Sequence, residues 1–170
     1  MGREWKDLTS QESSDPTIAM IGGGFYSANA LGAKDVIDAT KPLVDQALHA
    51  LVSIPSAKPF AIADFGASDG GTSADLMRHI VGTVRTALPD RPITLTYTDL
   101  PYNDFSTLFR RLHGMLDADD TQPLGQEPVL FTFASGTSLH RQIFPDETLS
   151  FGFSASSWCR VAGSCLPIFA

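Results

Sequence analysis

Two apolar runs in this chain each stop at an acidic residue, and the residues around those stops have types and spacings suited to holding a ligand. Residues 62 to 72 read Ile-Ala-Asp64-Phe-Gly66-Ala-Ser68-Asp69-Gly70-Gly71-Thr72. The run Phe60 to Ala63 meets Asp64, small glycine-rich residues follow at once, and a helical pattern then begins. That order predicts a strand, a tight turn and a helix start, with a carboxylate at the strand's end. Glycines let the backbone come close to a ligand, while turn amides and a helix N-terminus offer donors. The second acid, Asp99, ends the β-branched and aromatic run Ile93 to Thr98. A carboxylate can accept both hydroxyls of a ribose, in charge-assisted hydrogen bonds worth about 1.5–3 kcal/mol each.

Spacing separates the nucleoside cofactors that use such a layout. A dinucleotide fingerprint needs G-x-G-x-x-G and an acid about 20 residues further on. Gly66, Gly70 and Gly71 do not fit it, and Asp99 lies much later. No Gly-Lys-Ser or Gly-Lys-Thr phosphate loop is present. Two carboxylates at two strand ends favour a cation and repel a pyrophosphate. S-adenosylmethionine has a ribose, an ammonium and a sulfonium, and no phosphate, so it fits better than NAD or ATP. An NAD-linked enzyme is the disfavoured alternative.

Alternating elements must position these groups. Tyr26 to Thr40 reads as helical, with Leu31, Val36 and Ile37 apolar. Pro42 fits the first turn of a second helix, whose apolar stripe is Leu43, Ala47, Leu48 and Leu51. Phe60 to Gly66 is the first strand. Thr72 and Asp75 resemble a capping box, and Leu76, Ile80, Val84 and Leu88 recur every four residues through a helix over 73–88. Ile93 to Thr98 is the second strand. Asn103 and Asp104 read as helix caps, followed by Phe105, Leu108, Phe109 and Leu112 at helical spacing. A polar loop over 114–127 leads to a third strand, Pro128 to Ala134, and Thr148 to Ala155 is expected as a fourth. Strands alternating with helices imply an α/β fold of about four parallel strands with right-handed crossovers. In such sheets ligands sit beyond the carboxyl ends of the strands, where Asp64, Gly66, Asp99, Ser135 and Ser138 all fall.

Composition bounds the class. The 170 residues are 43% hydrophobic and 18% charged, with net charge −7 and pI near 4.8. That balance argues against a general nucleic-acid binder, which would show a basic face. No apolar run approaches the roughly 20 residues that span a bilayer, and the polar start of the chain lacks a signal-peptide core. The cytoplasm is the expected compartment. Residues 1–18 are expected to be a mobile leader, and 19–157 the folded part. Cys159 and Cys165 are expected as free thiols, and no metal site is expected from them. His49, His79, His113 and His140 are scattered and are not assigned to catalysis.

The residues also carry a family resemblance. Gly22-Gly-Gly-Phe-Tyr26-Ser-Ala-Asn29-Ala-Leu resembles the N-terminal motif of the SABATH methyltransferases, the salicylate, benzoate and theobromine carboxyl- and N-methyltransferase family. Ala63-Asp64-Phe-Gly-Ala-Ser-Asp-Gly-Gly is similar to its first cofactor motif, and Asp99-Leu100-Pro101-Tyr-Asn103-Asp104-Phe105 to its Asp-Leu-Pro-x-Asn-Asp-Phe motif. The stretch from Ser138 through Phe144-Pro145 to Leu149 resembles the segment after the third strand. The resemblance implies an incomplete class I methyltransferase sheet that takes S-adenosyl-L-methionine and a small-molecule acceptor. It places Asp64 near the methionine end, Gly66 and Ser68 in the turn, Asp99 on the ribose, Leu100 against the adenine, and Ser138 and Leu139 beside it. Tyr26 and Asn29 would close over the methionine end. Tyr26 and Ser156 would touch the acceptor. Ile21 stands where the plant motif has Lys, and Ala30 and Ala33 where it has Ser and Gln.

Family members are considerably longer, so a truncated N-terminal portion is expected. Residues 158–170 do not continue the pattern, and a shifted reading frame is the expectation for them. The fourth strand would then be an exposed edge, an invitation to homo-oligomers. No catalytic acid or base is assigned, because a carboxylate acceptor is already the nucleophile. The rival reading is a catalytically inactive cofactor-binding or interaction fragment.

Overall fold

The computed structural model describes residues 31–116 and 123–155. The expectations for the leader, Gly22 to Gly24, Tyr26, Asn29, Ser156, the two cysteines and the tail lie outside these residues. Two helices open the described part, α1 (Leu31–Ala39) and α2 (Lys41–Val52). Pro42 sits in the first turn of α2, where its missing N–H costs nothing. Strand β1 (Phe60–Phe65) leads to α3 (Ala74–Ala87), β2 (Ile93–Thr98) to α4 (Phe105–Leu112), and a short 3-10 turn (Leu124–Gln126) to β3 (Leu130–Ser135) and β4 (Phe151–Phe153).

The sheet order is β3-β2-β1-β4, and every pairing is parallel. Register puts Phe60, Ile62 and Asp64 of β1 on one face with Ile93, Leu95 and Tyr97 of β2. This face meets Val44 and Leu48 of α2, Leu76, Met77, Ile80, Val81 and Val84 of α3, and Leu108 and Leu112 of α4 in one buried cluster. Helices α3 and α4 cover the same face because β1, β2 and β3 succeed one another in one direction and each crossover is right-handed.

Several details depart from the sequence pattern. In α2 the buried residues are Val44 and Leu48, while Leu43 is 53% exposed. One residue's rotation separates Leu43 from the i, i+4 pair that faces inward. The capping box does not form. Ser73 is the N-cap of α3 without a side-chain cap bond, and Asp75 instead pairs with Lys34 of α1 and Arg78, which holds its carboxyl below the usual range. Leu124, in the stretch expected as polar loop, joins the core. Strand β4 is shorter than expected. Ser150 spends its backbone N–H and its hydroxyl on Ala61, closing the strand's start.

The opposite face of the sheet is covered unevenly. Residues 136–150 pass from β3 to β4 without a helix. Phe144 meets Phe65 edge-on at 6.0 Å, and Phe65 and Leu149 close over Gly152. Toward β3 the cover ends, and Phe131 and Phe133 are each 51% exposed.

Candidate functional site

The turns after β1 and β2 are fastened to the ends of their neighbouring strands. Thr98 at the end of β2 accepts N–H bonds from Gly66 (2.8 Å) and Ala67 (3.0 Å), and Ser135 at the end of β3 accepts from Asp99 (3.1 Å). The turn after β1 reverses through positive φ at Gly66 (77°), Ser68 (52°) and Gly70 (73°). Such a value costs a non-glycine residue about 1–3 kcal/mol unless neighbours hold it. Here two side chains hold Ser68. Its N–H donates to Asp99 Oδ2 at 2.7 Å, and its carbonyl accepts from Asn103 Nδ2 at 2.7 Å. The glycine-rich turn and the segment after β2 are thus one clamped unit, with both hands of the clamp supplied by 99–103.

Asp99 is half-buried. Its Oδ1 accepts from the Leu100 N–H at 2.7 Å, so each carboxylate oxygen holds one backbone amide. A carboxylate has about four acceptor directions, which leaves one on each oxygen. Leu100 beside it is 37% exposed, a free apolar surface next to the acid. Ser138 and Leu139 follow β3 at the same end of the sheet and are half-buried. The carbonyl of Ser138 accepts from Arg141 (2.9 Å). The structure therefore brings Asp64, Gly66, Ser68, Asp99 and Leu100 together, with Ser138 and Leu139 on the adjoining loop.

Asp64 is placed differently from Asp99. It lies on the helix-covered face, 3% exposed, and its Oδ2 accepts the Ser73 hydroxyl at 2.5 Å. Burial pushes its carboxyl up to about 6; the Ser73 bond opposes this, and the negative charge of Asp99 adds to it. The Asp99 carboxylate, just past the end of β2, is therefore near enough to act on Asp64. Among the described residues no salt bridge reaches Asp64. One cavity, of about 20 Å³, lies beneath Tyr97 and Gly70, and another, of about 490 Å³, runs along α2 and α3 between His49 and His79. Neither is lined by Asp64 or Asp99. Tyr26 and Asn29, expected to roof the strand-end site, lie outside the described residues.

Three polar groups take roles that the sequence pattern did not predict. Asn103, read as a cap, is the second hand of the Ser68 clamp, while Asp104 does cap α4 by accepting from the Thr107 N–H. Ser73, unassigned in the sequence, is the partner of Asp64. Thr72 Oγ1 is buried and has no hydrogen-bond partner among the described residues. A buried hydroxyl left unpaired costs about 1–3 kcal/mol, so its place on the turn into α3 suits a polar ligand group. Gly70 closes the turn, its N–H on the Ala67 carbonyl at 2.8 Å. A Cβ there would stand 3.3 Å from Leu108 Cγ. Gly70→Ala is expected to cost about 1–2 kcal/mol through its φ alone, and a thermal melt should fall by about 2–4 °C per kcal/mol.

A parallel sheet with a glycine turn clamped by an acid beyond the next strand defines an α/β domain wound in both directions from β1, and comparison with known proteins narrows the class. The family model for SAM dependent carboxyl methyltransferases matches residues 17–161. The chain belongs to that family, the SABATH type. It is 32% identical over 143 residues to a benzoic acid/salicylic acid carboxyl methyltransferase of Petunia hybrida, covering 80% of this chain and 40% of that one. Salicylate carboxymethyltransferase of Clarkia breweri is 32% identical over 145 residues, covering 80% and 38%. Among solved structures, a loganic acid methyltransferase with SAH superposes with a TM-score of 0.62 at 26% identity, covering 79% of this chain and 38% of that one. The chain thus spans about 40% of the length of the relatives it matches.

Proposed function

We propose that the chain binds S-adenosylmethionine at the carboxyl ends of β1, β2 and β3, as the cofactor-binding part of a methyltransferase acting on the carboxylate or ring nitrogen of a small molecule. One observation carries this reading: each Asp99 oxygen holds a single backbone amide and keeps an acceptor direction for one of two adjacent hydroxyls. Leu100 would lie against the adenine, with Ser138 and Leu139 on its other side. Thr72 Oγ1 would take a polar group at the methionine end, and Asp64 would face the ammonium. Gly66 and Ser68 let the turn backbone approach.

The transfer is an in-line displacement. A carboxylate oxygen forms a bond to the methyl carbon as the carbon–sulfur bond breaks, and its electron pair goes to sulfur, which leaves as a neutral thioether. No proton moves for a carboxylate acceptor, so no general base is assigned. Rate comes from alignment and exclusion of water. Tyr26 and Ser156 are proposed on the acceptor side.

A second reading is that the residues present bind the cofactor without turning it over. Calorimetric titration with S-adenosylhomocysteine tests the shared part, with saturable one-site binding expected. Methyl ester formation from benzoate or salicylate then separates the readings. Absence of binding in a cooperatively folded sample would remove both.

A further inference from the structure

The segments that leave β2 and β3 start side by side and meet again just beyond the strands. The Asp99 N–H donates to the Ser135 carbonyl at 3.1 Å. One residue further, Gly136 lies against Pro101. A Cβ built on Gly136 would stand 3.1 Å from Pro101 Cα and 3.7 Å from Phe105 Cε2. The first distance is tighter than side chains normally tolerate, so any larger residue needs a shift of a few tenths of an ångström. The two segments differ in how freely they give. Pro101 is on the fixed side. Its ring locks φ, the Asn103 N–H closes the turn on the Leu100 carbonyl at 3.0 Å, and the Asn103 side chain ties that turn to Ser68 at 2.7 Å. Past Ser135 the other segment bonds to itself among the described residues. The Ser135 and Thr137 hydroxyls pair at 3.1 Å, and Ser138 accepts from His140 at its hydroxyl and from Arg141 at its carbonyl.

We propose that Gly136 is a positioning residue that sets specificity for the cofactor's base. Having no side chain, it lets the segment carrying Ser138 and Leu139 close toward Leu100 and so fixes the width of the slot between them. This inference rests on the proposed placement of the adenine in that slot. A side chain at position 136 meets Pro101 at the root of both segments, and the less tightly fastened one moves. The movement carries Ser138 and Leu139 away from Leu100. A flat ring held between two walls is sensitive to such a change, because dispersion falls off steeply with distance. A gap of about 0.5–1 Å forfeits roughly a quarter to a half of each contact's attraction. The grip on the ribose does not share this sensitivity, since Asp99 stands on the fixed side with Leu100 and Pro101. Gly136 itself touches no ligand and acts through Ser138 and Leu139.

Calorimetric titration of the full chain with two ligands reads the slot. One is S-adenosylhomocysteine, and the other is S-ribosylhomocysteine, which keeps the ribose and the homocysteine and lacks the base. The parent should prefer the adenine-bearing ligand. Gly136→Ala should lower that preference about threefold and Gly136→Val about tenfold as contacts to the ring are lost, with affinity for S-ribosylhomocysteine unchanged. A general loosening of the fold would weaken both ligands together, and that result overturns the proposal. In Leu139→Ala one wall is already gone, so adding Gly136→Ala should change the preference by less than about twofold. If Gly136→Val fails to fold, this cycle and the single alanine variant carry the test. Undiminished base preference in the Gly136 variants overturns the proposal and leaves the cofactor reading standing. A parent that binds S-adenosylhomocysteine without preferring it to the baseless ligand overturns the adenine placement and the role of Gly136 together.

Discussion

Asp99→Ala is expected to weaken S-adenosylhomocysteine binding by at least about 100-fold, read by calorimetric titration against the parent. Two hydroxyl bonds to a carboxylate are worth about 3–6 kcal/mol together, and each 1.4 kcal/mol is a factor of ten. The substitution also removes the acceptor for the Ser68 and Leu100 amides, at 2.7 Å each, so part of the loss comes from a loosened turn. A ligand lacking the ribose 2′-hydroxyl separates the two effects. The parent should lose affinity for the deoxy ligand, and Asp99→Ala should discriminate little between the two ligands, because the group that reads the hydroxyl is gone. Equal discrimination by parent and variant would take Asp99 off the ribose and leave it a turn-holding residue.

The sheet was legible because its signals are local. Apolar runs closed by Asp64 and Asp99 gave β1 and β2 within a residue, and the stripe through Leu76, Ile80 and Val84 gave α3. The strand-end cluster followed from the rule about parallel sheets. What sequence could not supply is the direction of short polar side chains, which tertiary neighbours decide. Thr72 and Asp75 have capping-box spacing, yet Asp75 finds Lys34 from a helix 41 positions away. Asn103 has cap-like chemistry, yet Ser68, 35 positions earlier, offers an unpaired carbonyl in a strained turn. Asp64 and Asp99 look equivalent as letters at strand ends. Register separates them. Asp64 pairs with Tyr97 on the helix-covered face, while Asp99 lies past the last ladder position, where both oxygens can meet a ligand.

That inequality sets the second large effect. The folded-state pKa of Asp64 is pushed up to about 6 from an ordinary value of 3.8, so the native state binds a proton more tightly than the unfolded chain does. The associated stability is fully present below about pH 4 and is lost as pH rises through about 6. At neutral pH the ionised carboxylate then costs the fold up to about 3 kcal/mol, at 1.36 kcal/mol per unit. Asp64→Asn is therefore expected to raise the melting temperature at pH 7.5, by about 2–4 °C for each kcal/mol recovered, and to give no gain at pH 4.5. Its ligand behaviour should run the other way. A carboxylate kept charged at such expense, next to a second negative charge and with no cation partner among the described residues, suits the ammonium of the methionine end. Asp64→Asn should bind S-adenosylhomocysteine at least tenfold more weakly at pH 7.5, and parent affinity should fall as pH drops below 6. A variant that is more stable at neutral pH yet binds as tightly as the parent would make Asp64 a support for Ser73 and the start of α3. A variant without any stability gain would mean that the Ser73 bond already offsets the burial.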